Sequence, residues 1–344
     1  MNSMRLDLLT QLLAIPSPSG FEFEIQKFIQ AQLGPIVDQA KIDRFGNLYL
    51  SLQSDLGPKL MISSHADEIG MMVRFISEDG FIYFNGINED NLDTILGQRV
   101  DILSETGPIR GVISGKHGPI DGKRKINDLW IDIGTKNNHE AKKRVGIGDM
   151  IVCEQNFSVL ANNRAIARGF DNKIGCFILA EMLKSLVGTT FQFALHAVFS
   201  AQEEVGWRGA LVAAETISPQ IAIVIDVIEA SDYPDTDQRE MGEIILEHGP
   251  VIYRGPNIDR LLYKDLIKIA KQNNLAVQIF GEPWNTPTDA RVIQLSGQGV
   301  ATVVVSVPVR YIHTPSEMVS LVDVENTILL LCAFVKNLAP IELA

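Results

Sequence analysis

The 344-residue chain is long enough for one large domain or two ordinary ones, and its 46% hydrophobic and 21% charged residues fit a globular protein with a sizeable core. A formal net charge of −12 works against nucleic acid or an anionic membrane as partner, since both need clustered Lys and Arg, and it permits a carboxylate-rich site. Cys153, Cys176 and Cys332 have no paired spacing, so neither a disulfide framework nor a cysteine zinc site is predicted.

The first residues lack a basic region followed by an unbroken apolar stretch, and no apolar run reaches the length of a membrane span. A cytoplasmic location is expected. Leu8, Leu9, Leu12 and Leu13 make an amphipathic helical stripe ended by Pro16 and Pro18. "SGFE" reads as a capping box, with Ser19 as N-cap and Glu22 reaching back. It opens a helix with Phe21, Ile25, Phe28, Ile29 and Leu33 on one face. A turn at Gly46 starts a strand, and "KLMISSH" is a buried strand ending at His65.

From about Met71 to Asn162 the chain changes to short strands and turns: "MVRFI", "GFIYFNG", "RVDILS", "IRGVISG", "LWIDIG" and "MIVCEQ". This spacing predicts a small β-barrel or sandwich, with helical signal confined to "NNHEAKKRV". From about Ala165 helices alternate with the strands "FQFALHAVF", "IAIVIDV", "AVQIFG" and "VATVVVSVPV", and a helix closes the chain. That alternation predicts α/β layers around a mostly parallel sheet. The expected division is a discontinuous α/β domain, 1–71 and 163–344, interrupted by a β-rich insertion, 72–162.

Strand ends of such a sheet are where sites are built. His65 stands at one, with Asp67 two residues on; they are a metal ligand and its orienting carboxylate, or an ordinary surface turn. Asp171 in "GFDNKIG" fits an N-cap as well as a ligand. Glu203 and Glu204 follow the strand "FQFALHAVF"; Gly206 and Gly209 predict a tight turn there, against the alternative of two solvated glutamates. Asp226 lies inside an otherwise apolar strand, where a charge is costly unless paired or metal-bound. His313 follows another strand and, alone, reads as a loop histidine. Together, two histidines and three carboxylates suit a pair of borderline divalent ions, zinc first and cobalt or manganese next. Glu203 is left over as an adjacent general base.

The stretches "SSHADEIGMMV", "ARGFDNKIG", "AQEEVGWRGA", "IVIDV", "TDA" and "RYIHTPSE" resemble, in order, the tetrahedral (TET) aminopeptidases, which include glutamyl and deblocking aminopeptidases. The resemblance implies an α/β/α catalytic domain interrupted by a β-rich, PDZ-like dimerisation and assembly domain. It implies two co-catalytic metals: His65 and Asp226 on the first, Glu204 and His313 on the second, Asp171 bridging. It implies Glu203 as general acid/base beside a di-metal-activated water, and Asp67 orienting His65. It implies a cis peptide at Asp171–Asn172, peptide substrates, and dimers assembled into a dodecamer. Asp289, Arg310 and Tyr311 are the candidate substrate-binding residues. The chain departs from the family at Asn172–Lys173, where Asp-Arg is usual, and at "PWNTPTDA", where the family is glycine-rich. A deacylase or carboxypeptidase-like amidohydrolase on the same scaffold is the alternative. A glycosidase using Glu203 leaves His65 and His313 unexplained, and a non-catalytic assembly protein leaves the whole ligand set unexplained.

Overall fold

The computed structural model describes residues 3–88, 92–116 and 124–338. The apolar runs form the centre of a large mixed sheet. Its four core strands lie in the order Ala194–Ser200, Lys59–His65, Ile221–Glu229 and Ala301–Arg310, each parallel to the next. They are buried almost throughout, as strands covered on both faces must be. Antiparallel strands extend the edges. Leu48–Leu52 and Gln39–Ile42 lie on one side; Glu317–Ser320, Arg164–Ala167 and Ser158–Val159 lie on the other.

Neighbouring residues of one strand show how the helices are layered. Ser64 faces helix Phe170–Leu186, with its Oγ 3.9 Å from Cys176 Sγ. Ser63 faces Asp289, at the start of helix Ala290–Ile293, with Oγ 3.2 Å from its carboxylate. Successive side chains leave a strand on opposite faces, so these helices cover opposite sides of the sheet. Ser3–Ala14 and Leu321–Asn337 pack with the first, and Arg208–Ile217 with the second. The result is the expected three-layer α/β/α arrangement.

Six strands close a barrel in the order Gly70–Ile76, Ile82–Ile87, Leu129–Asp132, Gly107–Gly115, Arg99–Ser104 and Met150–Cys153. The barrel has its own core, including Val73, Phe84, Val100, Ile102, Ile113 and Ile131. Its strands run from Gly70 to Cys153. They begin before and end short of the 72–162 span, because Ser158–Val159 already pairs in the large sheet.

Two local expectations change. The capping box does not form: helix Phe23–Leu33 has no side-chain cap. Ser19 Oγ donates to Asp67 Oδ2 at 2.6 Å, and Glu22 accepts from the Gly20 amide at 2.7 Å and the Gln202 amide at 3.0 Å. Buried carboxylates need donors more than a solvent-facing helix end does. Phe21 consequently lies off the helix's buried face and is exposed. The helix after Asp289 is also a single turn, Ala290–Ile293.

Candidate active site

His65 ends its strand and continues into Ala66, Asp67 and Glu68, all buried. Three residues beyond the parallel strand Ala194–Ser200 come Glu203 and Glu204, in a turn through left-handed Gln202, Gly206 and Trp207. The turn folds back so closely that a Cβ on Gly209 would lie 2.3 Å from both the Ala201 carbonyl oxygen and Asn47 Oδ1. Only glycine fits there. The Asp67 carboxylate joins the two strand ends: Oδ1 accepts from the Glu203 amide at 3.0 Å and Oδ2 from the Glu204 amide at 3.2 Å. His65 Nδ1 is 3.1 Å from the Asp67 carbonyl and 3.5 Å from its carboxylate. The ring is therefore oriented by the carbonyl, while the carboxylate holds the glutamate turn.

His65 Nε2 faces Asp171 Oδ1 at 3.2 Å and Asp226 Oδ1 at 3.6 Å. On the other side, His313 Nε2 lies 3.1 Å from Asp171 Oδ2 and 3.9 Å from Glu204 Oε2. Asp171 thus turns one oxygen to each histidine. It caps no helix: its backbone and that of Asn172 are non-helical, the peptide between them is cis, and left-handed Gly169 precedes the helix. Asn172 Nδ2 donates to the Ile225 carbonyl at 2.9 Å, tying this corner to the Asp226 strand. Glu317, buried on its strand, accepts from the amides of Asp171 and His313, both at 3.0 Å. Glu317 closes the stretch "RYIHTPSE", but its place between those two residues shows only in the fold.

Behind Asp171 lies a buried ion cluster. Glu68 accepts from Lys173 Nζ at 2.8 Å and the Ser17 amide at 2.9 Å, and Arg168 Nε lies 2.9 Å away. Burial works against this carboxylate, yet the two cations hold its pKa below the ordinary value. Lys173, stripped of water and crowded by Arg168, is pushed down to about 8.

The charges in the site favour a cation. Burial opposes charge on His65, yet Glu203, Asp171, Asp226 and Asp67 carry its pKa well above the usual histidine range; His313 is raised to about 10 in the same way, chiefly by Asp171. Burial and then Asp171 raise Glu204 to about 8, and burial foremost raises Glu203 and Asp226. Burial acts against Asp171 too, but its two histidines hold it low. Asp171 Oδ1 and Glu204 Oε1 are buried without a hydrogen bond. Among the described residues, three groups of side chains present donor atoms within 4.8 Å of one another: His65, Asp171 and Asp226; Asp171, Glu204 and His313; and His65, Glu203 and Glu204. The first two share Asp171. Imidazole and carboxylate donors with unpartnered oxygens fit borderline divalent ions.

The remaining candidates differ in their surroundings. Asp289 is 1% exposed, accepts from Ser200 Oγ at 2.5 Å and Ser63 Oγ at 3.2 Å, and lies close enough to the site for its charge to act on Glu203. Arg310 is committed to Asp232, with Nε and Nη2 both 2.7 Å from its carboxylate. Tyr311 stays on the rim, its ring edge-on to Tyr233 at 4.9 Å. Trp207 packs beneath the Arg291 guanidinium at 4.5 Å, and Trp284 is 79% exposed.

The family model for M42 glutamyl aminopeptidases matches residues 46–330. A lysyl aminopeptidase of Pyrococcus furiosus is 31% identical over 350 residues, covering 98% of each chain. The crystal structure of a TET aminopeptidase from a marine-sediment Thaumarchaeota archaeon superposes with a TM-score of 0.92 at 30% identity, covering 98% of each chain. The Pyrococcus horikoshii TET1 peptidase, which can assemble into a tetrahedron or a large octahedral shell, gives 0.86 at 29% identity, covering 97% of this chain and all of its own. The fold, the ordered motifs and these matches agree: the chain belongs to the M42 glutamyl aminopeptidase family, that of the TET aminopeptidases.

Proposed function

We propose that this aminopeptidase removes N-terminal residues from peptides with two divalent metal ions, zinc foremost, and with Glu203 as general acid/base. His65, Asp171 and Asp226 would hold one ion and Asp171, Glu204 and His313 the other. The observation that carries this is the placement of Asp171, one oxygen toward each histidine, in two donor groups that share it. When bound, the ions would supply Lewis-acid chemistry, polarising the scissile carbonyl and lowering the pKa of the attacking water.

The chain's own residues supply the rest. Glu203 belongs only to the donor group that lacks Asp171, so it is the carboxylate free to move a proton. Burial raises its pKa, which suits a group that takes a proton from the attacking water and returns it to the leaving amine nitrogen. The Asp67 carboxylate fixes the backbone of both glutamates, so Glu203 keeps its position while it changes charge. A peptide's free amine would enter beside the partly exposed His313.

By likeness to the TET structures the chain is a homo-oligomer. The barrel is the candidate assembly element, and a dodecamer the expected size. Turnover across a panel of aminoacyl and N-acylated substrates, with chelator and then zinc or cobalt add-back, tests this reading. Loss on chelation and recovery on add-back, with aminoacyl substrates preferred, is expected. Turnover indifferent to chelators, or confined to N-acylated substrates, would overturn it.

A further inference from the structure

Glu204 depends on the barrel. Its backbone is held within the catalytic domain by Asp67, yet neither carboxylate oxygen takes a hydrogen bond from that domain among the described residues. Oε1 has no partner, and His313 Nε2 stands 3.9 Å from Oε2. Among the described residues, the one hydrogen bond to the carboxylate comes from Asn88, whose Nδ2 donates to Oε2 at 2.6 Å. Asn88 directly follows the barrel strand Ile82–Ile87 and is exposed, with a left-handed backbone (φ 52°). Burial does not explain its side chain; the contact with Glu204 does.

The chemistry of the side chain fits that contact. An amide donates without adding charge. A lysine in its place would neutralise Glu204 and compete with a cation, and an aspartate would repel it. With Oε2 fixed, the unpartnered Oε1 is held in one orientation.

We propose that Asn88 is a positioning residue supplied by the barrel, which sets the rotamer of Glu204 and so tunes the affinity of the Glu204–His313 half of the site for a divalent cation. This rests on the reading that Glu204 holds a metal ion. Groups that hydrogen-bond a metal ligand commonly change affinity by 10–100-fold when removed, roughly the scale to expect here. It also makes catalysis sensitive to how the barrel sits, and therefore to assembly.

The test strips the full-length protein of metal and titrates it with zinc against a chromophoric chelator, for wild type, Asn88→Ala and Asn88→Asp. Asn88→Ala should weaken the weaker of two zinc sites by about tenfold and leave the tighter one unchanged. Its oligomer size should match wild type, and excess zinc should restore most of its turnover. Asn88→Asp should weaken the same site further. Both zinc affinities of Asn88→Ala staying within about twofold of wild type would overturn the inference. So would a loss of turnover that excess zinc does not restore, since Asn88 would then act on substrate. If wild type itself takes up one ion only, the two-metal reading has failed; the inference then stands or falls on whether Asn88→Ala weakens that ion.

Discussion

The two halves of the acidic cluster are built on different foundations. His65 and Asp226 stand on paired central strands, with side chains 3% and 7% exposed. His313 and Glu204 stand on turns beyond strand ends, and the His313 side chain is 32% exposed with a left-handed backbone. The strand half takes its geometry from the packing of the sheet. The turn half takes it from a few hydrogen bonds, those of Asp67, Glu317 and Asn88.

Four experiments can break or sharpen that contrast. Glu203→Gln stands outside both Asp171-centred groups. It should cut kcat by roughly 10²–10⁴-fold while metal content, measured by elemental analysis, stays at the wild-type value. Near-normal turnover would remove Glu203 from its role, and lost metal would make it a ligand of the turn half. Glu68→Gln would leave Arg168 and Lys173 buried without their counter-charge, beside the strand half. Denaturant unfolding should show a loss of about 3–5 kcal/mol; a loss as small as that of a surface change would mean that solvent reaches the cluster.

Gly209→Ala pushes a Cβ against two fixed polar oxygens under the glutamate turn. It should cost about 1–3 kcal/mol of stability, with turnover falling further than stability alone explains, because Glu203 and Glu204 move with the turn. Unchanged kinetics would show that the turn is fixed from elsewhere. The smallest effect should be in chelation. Zinc should leave the turn half first, with the two affinities differing by about tenfold, or about 1.4 kcal/mol. Simultaneous loss would show that the shared Asp171 couples the halves and that their different foundations are immaterial.

Much of this was legible in the sequence where the cause is local. Central strands announce themselves as apolar runs because both faces are covered, and Asp226 stands out as a charge inside one. Short alternating strands announced the barrel. Residues whose partners are distant gave no such signal. Ser19 and Glu22 carry a capping pattern, but Asp67 and the Gln202 amide, reachable only in the fold, take both side chains. Asn88 is an ordinary polar residue until the barrel places it beside Glu204, and Glu317, though it ends a motif, shows its part only when the sheet brings it to the His313 amide. Arg310 looked available for substrate because nothing nearby in sequence identifies Asp232 as its partner.

The barrel closes through its first and last strands: Gly70–Ile76 pairs with Met150–Cys153, with Met71 opposite Ile151. The chain therefore leaves the catalytic domain and re-enters it at adjacent points. Glu68 and Lys173 are 105 positions apart, and bringing such distant residues together from an unfolded chain carries a loop-closure entropy that grows with the logarithm of the loop. A barrel that folds first has already closed that loop, and only the short segments flanking it remain to be ordered. In that order of events, the inserted domain shortens the search by which Asp171 reaches His65. Mutations that slow the barrel's own folding would then delay the recovery of activity on refolding, even where they leave the native site untouched.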